Sequence, residues 1–348
     1  MANVKTLVTG CAGFIGSNFV RHALHQRPGW EILGLDKLTY AGNLENLRDV
    51  DGDPRYRFVR GDITDADLVD RLFREGRFDV AVNFAAESHV DRSILDASAF
   101  IETNVRGTHV LLEAARRYGT PRFVQVSTDE GYGSIESGAF TEASPLRPNS
   151  PYAASKAAAD LLCLAYFKTY RLPVMITRSS NNYGPHQFPE KLIPLTILQT
   201  LRGQPVPVYG RGANVRDWLY VDDNCQAIAL VVDRGRVGEV YNIGSGEERR
   251  NIDLVEFLVD LIADRLGKPS RDLRRLITFV KDRPGHDLRY ALDTSKIAAE
   301  LAWKPSVRLE QGLTRTLDWY LQNEDWLQSV VSGDYREYAA RVSEQGSR

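Results

Sequence analysis

Thr9-Gly10-Cys11-Ala12-Gly13-Phe14-Ile15-Gly16 is the stretch on which the reading of this chain turns. An apolar run over residues 5–9 precedes it, and a helical pattern over residues 14–26 follows. Three glycines between a strand and a helix have mechanical roles: a tight turn, close approach of backbone to a pyrophosphate, and close packing of helix on strand. The N–H groups and dipole of the helix N-terminus then favour an anion there. A glycine triplet in an ordinary turn signifies little. In this strand–turn–helix context, Gly10, Gly13 and Gly16, with Phe14 and Ile15 beside them, read as a dinucleotide-binding fingerprint.

The alternation continues outward from that motif. Residues 31–36, 56–60, 79–85, 122–127 and 173–178 read as strands, and residues 66–75, 99–118 and 152–170 as the helices between them. Such a β-α repeat implies right-handed crossovers and an α/β fold with a doubly wound, parallel, Rossmann-type sheet. After residue 181 the pattern changes: prolines 185, 189, 194, 205 and 207 punctuate the chain, and the helices at 251–266 and 309–323 lack regular strand partners. We expect an NAD-binding domain over residues 1–180 and a smaller, mixed C-terminal substrate-binding lobe over 181–325. Segments 221–233 and 239–243 are able to rejoin the first domain, and residues 326–348 read as a polar tail.

A net charge of -2 sets up no field for nucleic acid or a membrane surface, so an anionic ligand needs a local cluster of Arg and Lys. Cys11, Cys163 and Cys225 are odd in number and far apart, which fits a reducing, cytoplasmic setting better than a disulfide framework. His22 and His25 lack nearby ligand partners, so no metal is expected. No apolar run approaches the roughly 20 residues that cross a bilayer.

Asp36 follows Gly16 by 20 residues at the end of the second strand, where a carboxylate accepts from ribose hydroxyls and repels a 2′-phosphate. That favours NAD over NADP, although Lys37 beside it pulls the other way. Asp62 is suited equally to an adenine amino group or to capping the turn before Ala66.

Tyr152-Ala153-Ala154-Ser155-Lys156 places a phenol and an ammonium one helical turn apart, on one face. A tyrosine with a pKa of ~10 is a poor base at neutral pH; a lysine and a nicotinamide cation would bring it down. Thr128, Asp129 and Glu130 end the fifth strand, where open α/β sheets place ligands. Adjacent carboxylates are what a β-elimination needs, as acid and base, and are also what a solvated turn or N-cap uses.

The motif Ser127-Thr128-Asp129-Glu130-Gly131-Tyr132-Gly133 resembles the Ser-Thr-Asp-Glu-Val-Tyr-Gly signature of the dTDP-glucose 4,6-dehydratases, in the extended short-chain dehydrogenase/reductase superfamily. The segments at 85–93, 180–185, 188–194, 215–221 and 282–287 resemble that family too, over about residues 4–325. The resemblance implies NAD as cofactor and C4 oxidation, C5/C6 elimination of water and C6 re-reduction of a nucleotide-linked hexose. It implies that Tyr152, assisted by Thr128 and Lys156, is the base at C4, Asp129 the acid on the C6 hydroxyl, and Glu130 the base on the C5 proton. Phe14, Ile15, Asp36, Lys37, Leu38, Thr39, Asp62, Ile63, Phe84, Ala85, Ala86, Ser88, Thr103, Tyr152, Lys156 and Asn182 would line the cofactor. Ser88, Thr128, Asn181, Lys191, Leu192, Pro207, Val208, Tyr209, Arg216, Asn251, Asp282, Arg283 and His286 would hold the nucleotide sugar, the two guanidinium groups suiting a diphosphate.

Gly131 departs from the family, which usually has valine there. Thymidine is the family's usual base, with UDP- and GDP-linked relatives on the same scaffold. A 4-epimerase or decarboxylase shares the Tyr152/Lys156 oxidation but has no need of the Asp129/Glu130 pair, and an NAD-binding scaffold needs none of the four. The superfamily's pairing mode implies a homodimer through the helices at 99–118 and 152–170, with Leu111, Leu112, Leu161, Leu162 and Leu164 supplying apolar surface.

Overall fold

Alternate residues of the central strands are buried on opposite faces, and that period of two sets the layering. In the computed structural model, which describes residues 3–332, seven strands form one parallel sheet. They are β1 (Val4–Thr9), β2 (Trp30–Asp36), β3 (Tyr56–Arg60), β4 (Val80–Asn83), β5 (Arg122–Thr128), β6 (Val174–Ser179) and β10 (Val240–Ile243). Leu7, Leu35, Ala81, Phe123 and Ile176 point to one face, under the helices Ala66–Gly76, Thr108–Tyr118 and Pro151–Tyr170. Val8, Ile32, Val82, Val124 and Met175 point to the other, under Phe14–Gln26 and Val221–Arg234. Strands apolar on both faces are those that a doubly covered parallel sheet requires.

The sheet order is β10-β6-β5-β4-β1-β2-β3. The chain reverses direction across the sheet between β1 and β4, which opens a crevice at the carboxyl ends of the strands. Beyond that edge lie β7 (Asn181–Tyr183), β9 (Val215–Tyr220) and β11 (Glu248–Arg250) in one small sheet, with β8 (Val206–Tyr209) and β12 (Ile277–Val280) paired in another. A second core holds this lobe together, with Ile193, Ile197, Val206, Trp218, Leu254, Leu258, Leu313 and Leu317.

The lobe is discontinuous in sequence. The helix Val221–Arg234 and β10 return to the first sheet, because their apolar residues Ile228, Val232, Tyr241 and Ile243 belong to its core. The expected tail from residue 326 starts too early: Glu324–Val331 is a helix that buries Trp326, Leu327, Val330 and Val331 against the lobe, and residues 333–348 lie outside the described residues. The expected single helix over 99–118 is interrupted too. Ile101–Gly107 is a π-helical stretch before Thr108–Tyr118, an arrangement that recurs at functional sites, and it carries Thr103 and Asn104.

Candidate active site

The glycine loop is built as a cradle. Gly10 sits at φ +67°, and a Cβ on it would lie 2.6 Å from the Ala85 nitrogen. A Cβ on Gly16 would lie 2.1 Å from the Gly10 carbonyl oxygen, so only glycine lets the helix seat on the loop. Gly13 caps the helix Phe14–Gln26 with no side chain of its own to bond the first N–H groups. These features fit a dinucleotide pyrophosphate at the helix N-terminus. Asp36 secures the loop from below, accepting from Ala12 N at 2.9 Å and Leu38 N at 2.8 Å. Beneath it a buried polar row runs across three strands. Thr9 Oγ1 donates to Asn83 Oδ1 at 2.6 Å, and Asn83 Nδ2 donates to Gln125 Oε1 at 2.8 Å. Polar residues inside otherwise apolar strands were the available signal for this row.

One pocket collects most of the expected cofactor residues. Gly10, Gly13, Phe14, Ile15, Gly16, Asp36, Lys37, Thr39, Asp62, Ile63, Phe84, Ala85, Ala86, Ser88, Thr103, Tyr152 and Lys156 all line it, and so does Lys191. Asp62 stands on the pocket wall, where its Oδ1 accepts from Thr64 N at 2.9 Å and its Oδ2 meets Lys37 Nζ at 2.6 Å. The cap of the following helix is Asp65 instead. Two expected residues are not on the lining. Leu38 takes φ +59° and packs on the sheet's core, and Asn182 turns its Nδ2 to the Ser180 carbonyl at 2.9 Å.

At the far end of the pocket, Ser150 caps the helix Pro151–Tyr170 by accepting from Ala153 N, which fixes the turn presenting Tyr152 and Lys156. Lys156 is 5% exposed and donates to the Val126 carbonyl at 2.7 Å. Burial pushes its ammonium down, against the Asp160 charge. Thr128 caps the short turn Asp129–Tyr132. Asp129 is 2% exposed, and its Oδ2 has no partner. Burial, then the Glu130 and Asp217 charges, push its carboxyl well up. Burial also raises Glu130, but Arg283, Arg216 and Lys191 all oppose that rise. Tyr152 departs from expectation. Burial and the Glu130 charge raise its phenol, and a hydrogen bond with Thr128 only partly offsets them. The lysine expected to act on it together with a nicotinamide cation donates instead to the β5 backbone carbonyl of Val126.

The expected sugar-nucleotide residues arrive from the lobe. Arg216 donates to the Asp287 carbonyl at 2.9 Å and lies 4.3 Å over the Tyr290 ring. Arg283 Nη1 meets Asp91 Oδ1 at 3.2 Å, and Tyr209 donates to Asp91 Oδ2 at 2.9 Å. His286 contacts Asp282 at 2.6 Å and sets its ring edge-on to Tyr209. Lys191 donates to the Ser88 carbonyl at 3.0 Å. Asn181 Oδ1 and Asn251 Oδ1 are buried without partners. Leu192 packs partly on the lobe's core, Pro207 is half-buried on β8, and Val208 is 1% exposed within that core. Sequence reasoning passed over Asp91, which joins Tyr209 to Arg283. Its acidic side chain within the quoted 85–93 motif was the one signal for it.

A family model described as GDP-mannose 4,6 dehydratase matches residues 7–316. The dTDP-glucose 4,6-dehydratase of Xanthomonas campestris pv. campestris is 53% identical over 344 residues, covering 95% of this chain and 97% of the relative. That of Shigella flexneri is 48% identical over 354 residues, covering 96% and 98%. Among solved structures, DesIV, the dTDP-glucose 4,6-dehydratase of Streptomyces venezuelae with NAD bound, superposes with a TM-score of 0.89 at 53% identity, covering 94% of this chain and 100% of that one. The Thermus thermophilus UDP-glucose 4-epimerase in complex with NAD gives 0.82 at 33% identity, covering 92% and 100%.

Proposed function

Because this chain belongs to the dTDP-glucose 4,6-dehydratase family, we propose that it converts dTDP-glucose into dTDP-4-keto-6-deoxy-glucose and water. The observation that carries the reading is the pair Asp129 and Glu130 beside Tyr152, two carboxyls whose surroundings treat them differently. Pushing such groups apart is how one site holds an acid and a base together. Asp129, buried and beside two other carboxylates, keeps its proton and delivers it to the departing C6 hydroxyl. Glu130, whose rise Arg283, Arg216 and Lys191 oppose, is the base that takes the C5 proton, which the C4 ketone has made acidic. Tyr152 takes the C4 hydroxyl proton with Thr128 as its hydrogen-bonding neighbour, and Lys156 anchors the helix turn that aims it. Bound NAD supplies a positive ring and the acceptor for the hydride that leaves C4 and returns at C6. Arg216 and Arg283 suit the diphosphate.

Incubation with dTDP-, UDP-, CDP- and GDP-hexoses, with mass detection of water loss, tests the reading; dTDP-glucose is expected to turn over fastest. Inversion at C4 without water loss would instead support the 4-epimerase chemistry of the structural neighbours.

Two further assignments are part of the proposal. A homodimer through the helical segments 99–118 and 152–170 is supported by Leu161, 56% exposed, and Ile101, 53% exposed. Leu162 and Leu164 are half-buried, while Leu111 and Leu112 are sealed under the sheet and supply no surface. A dimer mass by light scattering at micromolar concentration is expected. A cytoplasmic setting is supported by Cys11, Cys163 and Cys225, all free thiols and all buried, and cell fractionation checks it.

A further inference from the structure

Three loops from separate parts of the chain meet over the outer wall of the cofactor pocket. Thr39, Ala41 and Gly42 come from the segment after β2, residues 85–88 from the segment after β4, and Gln187, Phe188, Glu190 and Lys191 from the lobe. Their junction is the Glu190 carboxylate, whose side chain is 2% exposed. Tyr40 OH donates to Glu190 Oε1 at 3.1 Å. His89 Nε2 lies 3.5 Å from Glu190 Oε2. The His89 Nδ1 accepts from Arg92 N at 3.4 Å, so in the neutral ring the proton sits on Nε2, facing Glu190. Burial keeps that ring neutral, holding its pKa down at about 2.

Tyr40 is held on both sides as well. The Arg92 guanidinium lies 3.5 Å over its ring, and Phe188 meets it edge-on at 5.5 Å. None of these contacts touches the reacting groups, and no step of the dehydration uses them. They nevertheless position Ser88 and Lys191, because the next residue along from Glu190 donates to the Ser88 carbonyl.

We infer that Tyr40 and Glu190 are positioning residues that clasp the three loops over the cofactor, so that NAD stays bound through repeated turnovers. The inference rests on the proposed chemistry, in which the hydride lost from C4 must return to the same sugar and a cofactor that leaves midway aborts the cycle. Loss of one such buried hydrogen bond is expected to speed NAD release about tenfold, which is ~1.4 kcal/mol.

The test compares the full chain with Tyr40→Phe and Glu190→Gln. Tyr40→Phe keeps the ring contacts and removes one bond. Glu190→Gln keeps an acceptor for Tyr40 but turns an amide N–H toward His89. After extended dialysis, NAD content is measured in extracts of the protein, and NAD release is followed by trapping with excess labelled NAD. The parent is expected to keep its NAD. Tyr40→Phe is expected to release it about tenfold faster or more, with activity restored by added NAD. NAD retention at the parent's level in both variants overturns the clasp, as does an activity loss that saturating NAD leaves in place. A parent that neither holds NAD nor dehydrates any nucleotide hexose overturns the proposed function along with it.

Discussion

Glu130→Gln separates two effects that one carboxylate exerts on its neighbours. After burial, the Glu130 charge is the largest influence raising both the Tyr152 phenol and the Asp129 carboxyl. Neutralising it lets both fall, so Tyr152 ionises at lower pH and oxidation at C4 begins at lower pH than in the parent. The same change removes the base for the C5 proton, since an amide cannot accept it. Loss of a positioned base costs on the order of 10²–10⁴ in rate, or about 3–5 kcal/mol at 1.36 kcal/mol per decade. Arg283, Arg216 and Lys191, which favour the Glu130 charge in the parent, remain in place and keep a diphosphate attracted. The assay is a single turnover with enzyme in excess, followed by reduced-nicotinamide absorbance and by mass detection of quenched sugars over a range of pH. The variant is expected to accumulate a 4-keto hexose while water loss slows by that factor, with the onset of oxidation displaced toward acid. Dehydration at near the parent rate would refute the base assignment. An onset that stays put or moves toward alkali would refute the coupling to Tyr152.

Gly16→Ala puts a Cβ 2.1 Å from the Gly10 carbonyl oxygen, so the helix must lift off the loop. The expected cost is about 1–3 kcal/mol of stability together with weakened NAD binding, read by thermal melting and NAD titration. Gly131→Ala goes the other way: Gly131 lies outside the left-handed region, and its Cβ would find Leu146 Cδ2 at 3.5 Å and Ala157 Cβ at 3.9 Å, ordinary contacts. Melting should show a gain of about 0.4–1 kcal/mol, and a loss would mean that the turn needs glycine. Glu190, raised by burial from 4.5 to about 7, contributes stability that is full below pH 4.5 and is lost as pH rises through 7. Relative to Glu190→Gln, the parent should therefore lose up to about 3 kcal/mol between those values, measured by urea unfolding across pH; a difference independent of pH would contradict the burial argument.

The strand–helix alternation, the glycine cradle and the Tyr152/Lys156 spacing were legible in the residues themselves. Each depends on backbone geometry that repeats every two or every 3.6 residues, or on the steric needs of a single turn. The π-helical stretch at Ile101–Gly107 escaped because a pattern of apolar positions does not report which carbonyl each N–H finds. The lobe's membership was left open for a related reason. The residues at 221–234 and 240–243 are apolar enough for either core, and only packing assigns them to the first sheet. Tertiary structure alone brought Tyr40 to Glu190 across 150 residues, turned Lys156 to the β5 backbone, and set three cations from remote segments around Glu130. The ionisation of Tyr152, Asp129 and Glu130 follows from those placements, because burial and Coulomb interaction depend on distance in space rather than along the chain.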